Sequence, residues 1–246
     1  MQENNKVIAS DIFFDNVGFL GAVEEIEKLA ASPQFSYVVT PNIDHVARLC
    51  ASSTKRSLHD IYRRAALSLC DSRILQKLLL FKGKNVKEVI TGSGLTKYLF
   101  DEVLAASDKV LVVGVEGVFI DKLRVLYPAL NIHHINPSMG FINRKEEVDD
   151  LLEKIKEIDA NYLFISVGSP RQEILADKIS AFGSVGGVGL CVGASILIIV
   201  GAEKRAPSVF QKLHLEWAYR IFQDPQRLAL RYFKNFLSLP AIIKSL

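Results

Sequence analysis

Four short segments carry the residue types that chemistry on a small molecule needs. Thr40-Pro41-Asn42 follows an apolar run and precedes a segment of helical period. That order puts small polar side chains at the carboxyl edge of a sheet, where ligands of open α/β folds bind. The same residues suit a plain helix start, with threonine at the cap and proline in the first turn. Leu67-Ser68-Leu69-Cys70-Asp71-Ser72-Arg73 places one carboxylate where another apolar run turns into a helix. Asp71 there is either a general base, held by rigid structure and aimed into the crevice that Thr40 faces, or an ordinary N-cap aspartate. Thr91-Gly92-Ser93-Gly94 offers backbone N–H groups to a phosphate at a helix start. A dinucleotide fingerprint needs a third glycine where Lys97 stands, and a tight turn accounts for the glycine pair equally. Val167-Gly168-Ser169-Pro170-Arg171-Gln172-Glu173 is a second such junction, suited to an anion or a uracil-like amide partner and also to helix capping.

Metal and nucleophile chemistry find less support. His133 and His134 are adjacent and point to opposite faces of an expected strand, His45, His59 and His214 are isolated, and no Asp-x-Asp occurs. A metal-independent reaction without a cofactor is expected. No Gly-x-Ser-x-Gly elbow or paired Cys and His motif is present either.

The elements that must hold these residues follow from hydrophobic period. Strands are expected at residues 7–14, 37–40, 66–70, 86–91, 110–113, 132–135, 162–167 and 185–190. Helices are expected at 17–31, 43–51, 73–81, 95–106, 118–127, 147–158 and 171–182. Such alternation predicts an α/β fold, Rossmann-like, with a mainly parallel sheet flanked by helices. One unit is expected to about residue 203, and a helical basic and aromatic appendage over 204–246.

Length and composition agree. The 246 residues are 49% hydrophobic, enough for one large α/β unit and too apolar for a disordered chain. Cys50, Cys70 and Cys191 are odd in number and widely spaced, which predicts reduced thiols in a cytosolic compartment. No apolar core follows a basic start near Met1, so no secretory signal is expected. Residues 179–202 carry no charge and are long enough to span a bilayer as a helix. Against that reading, six glycines in the stretch would each cost a helix about 1 kcal/mol relative to alanine. A buried strand followed by a glycine turn is the alternative.

The formal charge of +3 is unevenly spread: from Lys204 onward eight basic residues face two acidic ones, leaving −3 on the rest. Trp217, Tyr219, Phe222, Tyr232, Phe233 and Phe236 are interleaved there with Arg220, Arg227, Arg231 and Lys234. Such a segment suits a lipid headgroup layer, and it suits equally a pair of helices packed on the core with a solvated basic side. Nucleic acid is not an expected partner, since no binding motif accompanies the charge.

Together the segments resemble the WecG/TagA/CpsF family of bacterial cell-surface glycosyltransferases. The resemblance runs through Ile12-Phe13-Phe14-Asp15-Asn16, Thr40-Pro41-Asn42, Cys70-Asp71-Ser72-Arg73, Ile90-Thr91-Gly92-Ser93 and Asn136-Pro137-Ser138-Met139-Gly140-Phe141. It continues through Gly168-Ser169-Pro170-Arg171-Gln172-Glu173, Lys204-Arg205-Ala206-Pro207, Leu215-Glu216-Trp217-Ala218-Tyr219-Arg220 and Asp224-Pro225-Gln226-Arg227-Leu228. It implies inverting, metal-independent transfer of a hexose or N-acetylhexosamine from a UDP-sugar to a polyprenyl-pyrophosphate-linked saccharide at the inner face of the cytoplasmic membrane. By the same resemblance Asp71 is the catalytic base with Thr40 beside it. Asn42, Gly92, Ser93, Asn136, Gly140, Gly168, Gln172 and Glu173 are expected to bind substrate. Arg220, Arg227 and Arg231 supply cations to the pyrophosphate or the lipid surface, and a homo-oligomer is compatible with the pattern. The chain departs from the family at Val89, Gly94 and Leu197, where arginine, aspartate and aspartate are frequent. These departures keep a second reading in play, a catalytically silent nucleotide-sugar-binding or membrane-docked partner of the same fold.

Overall fold

The apolar runs and amphipathic segments build a six-stranded parallel sheet covered by helices on both faces. The computed structural model describes residues 6–9, 12–51, 55–203, 240 and 242–244. The expected appendage over 204–246, with Arg220, Arg227 and Arg231, lies outside the described residues except for 240 and 242–244.

The chain opens with β1 (Lys6–Ala9) and β2 (Ile12–Asp15), an antiparallel hairpin in a sheet of its own, followed by α1 (Phe19–Ala30). Next come β3 (Ser36–Val39), α2 (Ile43–Ala51), α3 (Lys55–Arg64), β4 (Leu67–Ser68), α4 (Arg73–Phe81) and α5 (Gly92–Tyr98). The second half holds β5 (Lys109–Val113), α6 (Gly117–Leu126), β6 (Asn131–Ile135), α7 (Lys145–Ile158), β7 (Tyr162–Ile165), α8 (Arg171–Phe182), β8 (Val188–Cys191) and α9 (Ser195–Ile199). Spatial order is β4-β3-β8-β7-β5-β6.

Strand side chains alternate between two cores, as the two-residue period of a sheet requires. Tyr37, Val39, Leu111, Val113, Leu163, Ile165 and Cys191 enter the core shared with α2, α3, α7 and α8. Val38, Val110, Val112, Tyr162, Phe164, Val188 and Leu190 enter the core shared with α1, α5, α6 and α9. Gly187 opens β8 at φ +79°, and a Cβ there would lie 2.5 Å from the Asn161 carbonyl oxygen, so no other residue fits. The two-residue edge strand β4 is anchored from outside the sheet: the Ser68 N–H donates to Asp15 Oδ2 at 2.8 Å.

Three expectations are corrected, and one open alternative is decided in favour of the strand. Residues 7–14 form two strands that fold back on each other. Residues 86–91 form no strand; Ile90 N–H bonds the Cys70 carbonyl at 3.0 Å, but no ladder extends along the segment. The helix expected at 95–106 begins at Gly92 and closes in a π-helical turn over Leu99–Val103. Residues 179–202 hold the end of α8, strand β8 and the five-residue α9, and among the described residues no helix is long and apolar enough to cross a membrane.

Candidate active site

A cavity of about 200 Å³ opens at the carboxyl ends of β3, β4 and β8. Thr40, Asn42, Asp44, His45 and Arg48 line it from the segment after β3, Asp71 from the end of β4, and Thr91 and Ser93 from the start of α5. Ser169 and Gln172 close it from the loop after β7 and α8, and Val192, Gly193, Ala194, Ser195 and Ile198 from the segment after β8. Of the sequence-derived candidates, Thr40, Asn42, Asp71, Ser93 and Gln172 are thus brought together.

Asp71 is placed by backbone pairing that outlasts β4. Leu69 N–H bonds the Val39 carbonyl at 2.9 Å, and Asp71 N–H bonds the Pro41 carbonyl at 3.1 Å. The cap of α4 is Ser72, whose Oγ accepts the Leu75 N–H at 3.2 Å, so Asp71 does not cap the helix that follows it. Its Oδ2 instead accepts the Gly92 N–H at 3.0 Å, across the sheet edge at the N-terminus of α5. Aligned peptide dipoles favour an anion in that place. A Cβ at Gly92 would lie 3.1 Å from Thr40 Oγ1, 3.5 Å from Asp71 Oδ2 and 3.6 Å from Ser195 Oγ. Three oxygens therefore surround one point, and glycine keeps it open.

The same contacts change two expectations. Gly92 N–H is spent on Asp71, and Gly94 N–H on the Thr91 hydroxyl at 3.1 Å, so neither amide is left to cradle a phosphate. Gly92 serves by the space it leaves. Thr40 is not the cap of α2; its hydroxyl donates to the Cys191 carbonyl at 3.2 Å. Asn42 is the cap: its Oδ1 accepts Asp44 N–H at 2.9 Å and His45 N–H at 3.4 Å, an arrangement worth about 1 kcal/mol. His45 Nδ1 returns the favour, accepting the Asn42 N–H at 2.9 Å, which leaves the ring proton on Nε2 in the neutral form.

The wall formed by α8 is buried and polar. Gln172, 3% exposed, accepts the Gly193 N–H on Oε1 at 3.0 Å and donates from Nε2 to Glu173 Oε1 at 2.9 Å. Glu173 is 1% exposed and is not among the lining residues, so the expectation that it touches substrate is corrected. Loss of hydration on burial pushes its carboxyl above the usual 4.5. Burial, and then the Glu173 charge, push the Tyr62 hydroxyl and the Cys191 thiol far up. Burial raises the Cys70 thiol to about 12, so this thiol is no nucleophile at neutral pH. Arg48 Nη1 donates to Ser169 Oγ at 2.7 Å and carries the cation among the lining residues.

Asn136 and Gly140 do not reach this cavity. They follow β6, three strands from β8, a separation of about 14 Å at the usual strand spacing. Asn136 is exposed, and Gly140 adopts φ +79° ahead of a 3-10 turn over Phe141–Asn143. Gly168 adopts φ +77° just before the cis Ser169–Pro170 peptide and accepts the Gln172 N–H at 3.1 Å on its carbonyl, shaping the entry to α8 without lining the cavity. Residues the sequence did not single out are His45, Arg48 and Ser195. His45 and Arg48 fall three apart on α2 counted from the Asn42 cap, a signal that helical period carries once the cap is known. Ser195 opens α9 just after the Gly193 turn, and its buried hydroxyl donates to the Val192 carbonyl at 2.6 Å.

Among the described residues, no three His, Cys, Asp or Glu side chains converge as a metal site would require. The model of the glycosyl transferase WecG/TagA/CpsF family matches residues 7–246, nearly the whole chain. The chain belongs to this family. It is a glycosyltransferase. Similar proteins include the N-acetylglucosaminyldiphosphoundecaprenol N-acetyl-β-D-mannosaminyltransferases of Staphylococcus aureus strains MW2 and COL. Each is 26% identical over 231 residues, covering 91% of this chain and 87% of the relative.

Proposed function

We propose that the enzyme transfers a hexose or N-acetylhexosamine from a UDP-sugar to a polyprenyl-pyrophosphate-linked saccharide, with inversion and without a metal. The observation that carries this reading is the Asp71 carboxylate, fixed at the sheet edge beside Thr40 and the open point that Gly92 leaves. An inverting transfer needs one base for the incoming hydroxyl and positive charge for the departing nucleotide. Asp71 takes the hydroxyl proton as that oxygen forms its bond to the anomeric carbon, and the bond to the UDP oxygen breaks on the opposite side. Arg48 stands in the same cavity and eases the departing diphosphate. The relatives' names describe a β-linked mannosaminyl product on a diphosphoundecaprenol-linked acceptor. A β product from an α-linked nucleotide donor requires inversion, in keeping with a single base.

Arg220, Arg227 and Arg231 extend the reading to the membrane. Their charge is suited to the acceptor pyrophosphate or to anionic headgroups at the inner membrane face. Reversing all three to glutamate is expected to reduce co-sedimentation with anionic vesicles and turnover of the lipid acceptor together.

The test is UDP release from a panel of UDP-sugars with a short-chain polyprenyl-pyrophosphate N-acetylglucosamine acceptor, with the anomeric configuration read by NMR. A β-linked product from one donor, unaffected by EDTA, is the expected result. No release from any donor would favour the silent-partner reading.

A further inference from the structure

Along the cavity a series of side chains runs from one wall to the other, hydrogen-bonded at every step but that between His45 and Glu173, which are in ion-pair range only. Asn42 N–H donates to His45 Nδ1 at 2.9 Å, and His45 Nε2 lies 3.9 Å from Glu173 Oε1. That same oxygen accepts from Gln172 Nε2 at 2.9 Å, and Gln172 Oε1 accepts from Gly193 N–H at 3.0 Å. Asn42, His45, Gln172 and Gly193 all line the cavity; Glu173, in the middle of the chain, does not.

Glu173 is an expensive residue to keep there. Its side chain is almost fully enclosed, and among the described residues its Oε2 has no hydrogen-bond partner of ordinary geometry, the nearby Ser169 hydroxyl offsetting only part of the cost of burial. A group serving only as packing would be apolar, because burying an unsatisfied carboxyl oxygen costs stability. What the carboxyl gives in return is direction. The glutamine side-chain amide has two ends of nearly equal shape and opposite hydrogen-bonding sense. Around Gln172 a donor stands at one end, Gly193 N–H, and an acceptor at the other, Glu173 Oε1, so only one orientation satisfies both. In that orientation Nε2 keeps a second hydrogen, a donor suited to a phosphoryl or acyl oxygen of the sugar nucleotide. A flipped amide would present a carbonyl instead and would set its NH₂ group against Gly193 N–H.

We propose that Glu173 and His45 are positioning residues: Glu173 fixes the orientation of the Gln172 amide, and His45 ties that arrangement to the cap of α2. The two walls of the donor pocket are thereby held in one geometry by a carboxyl that does not touch the donor. Arg48 from α2, Tyr62 from α3, Ser169 from the loop before α8 and Cys191 from β8 complete the surroundings of Glu173. The inference rests on the donor-pocket reading above, and its test has a readout that needs no turnover.

Amide hydrogen exchange at Gly193, followed by NMR, reports whether Gln172 Oε1 still faces that N–H. The variants are Glu173→Gln, which retains an acceptor oxygen, and Glu173→Met, which retains volume without one. Gly193 is expected to be protected in the parent enzyme and in Glu173→Gln, and to exchange markedly faster in Glu173→Met at unchanged melting cooperativity. KM for the UDP-sugar should rise about tenfold in Glu173→Met, the size of one buried hydrogen bond lost, with kcat changed far less. Glu173→Gln should recover most of that affinity. Adding His45→Ala to Glu173→Met should give little further rise, because both act through one chain. Equal protection of Gly193 in all three proteins, or a fall in kcat with KM unchanged, would overturn the proposal. If the parent enzyme released no UDP from any donor, the donor reading would fail while the exchange result still decided whether Glu173 orients Gln172.

Discussion

At the carboxyl ends of β3, β4 and β8, side chains from five segments of the chain converge on one cavity, whereas at the ends of β5 and β6 the polar groups are consumed by one another. His134 Nε2 lies 3.1 Å from both the Gly114 and Val115 carbonyl oxygens, closing the turn after β5. Glu147 accepts from the Ser138 N–H at 2.9 Å, from its hydroxyl at 3.1 Å and from Arg144 Nε at 2.7 Å, and the Ser138 hydroxyl, followed by Arg144, holds its carboxyl below the usual range. Both halves are built from parallel strands joined by helices. They differ in what their carboxylates do: Glu147 ties a loop to its own helix, while Asp71 reaches across to a different element and leaves an open point beside it. A family motif can therefore sit at a loop, as at Asn136 to Gly140, without entering the same cavity.

Several substitutions sharpen this contrast. Asp71→Asn keeps the acceptor for Gly92 N–H but removes the base, and kcat is expected to fall by about 10² to 10⁴ while UDP affinity, measured by calorimetry, stays within about twofold. Gly92→Ala should come next. Its methyl would press on Thr40 Oγ1 at 3.1 Å, a contact tighter than ordinary packing, and a loss of about tenfold or more in kcat/KM is expected with a small change in melting temperature. In the far half, Asn136→Ala should alter kcat by no more than about twofold, since an exposed side chain outside the cavity makes no transition-state contact. A large loss of kcat there would join the two halves into one site.

The smallest effect concerns stability. Glu173 has a folded pKa above its ordinary 4.5, so the folded state binds this proton more tightly than the unfolded chain does. Its contribution is fully present below 4.5 and declines as pH rises through the folded pKa. Glu173→Gln has no proton to lose, so its melting temperature relative to the parent should climb over that same interval, as a series of thermal melts would read. A difference independent of pH would contradict the assignment of a buried, ionisable carboxyl.

How much of this was legible in the sequence depended on where the punctuation lay. The helices at 73–81 and 171–182 coincide with α4 and α8 because Ser72 and Ser169-Pro170 mark their starts and Gly83 and Gly183 follow their ends. Helix α3 went unread: in Lys55–Arg64 only Leu58, Ile61 and Tyr62 are apolar, and the rest reads as a polar linker. Residues 86–91 have strand-like residues, but a strand needs a ladder, and this segment bonds the β4 side only near Cys70. For the site, residue type and order made Asp71, Thr40 and Gln172 candidates beside plain helix capping, and the family resemblance supplied their roles. Residue type and order could not show that Glu173 faces inward, because one residue along a helix turns a side chain by 100° and moves it from cavity to core.

The account turns on Asp71 taking the proton of the acceptor hydroxyl, and the pH dependence of kcat/KM tests this most directly. The parent enzyme and Glu173→Gln are expected to lose activity on the acid side along the same limb, and the residual activity of Asp71→Asn is expected to lack that limb. An unchanged acid limb in Asp71→Asn would show that another group is the base.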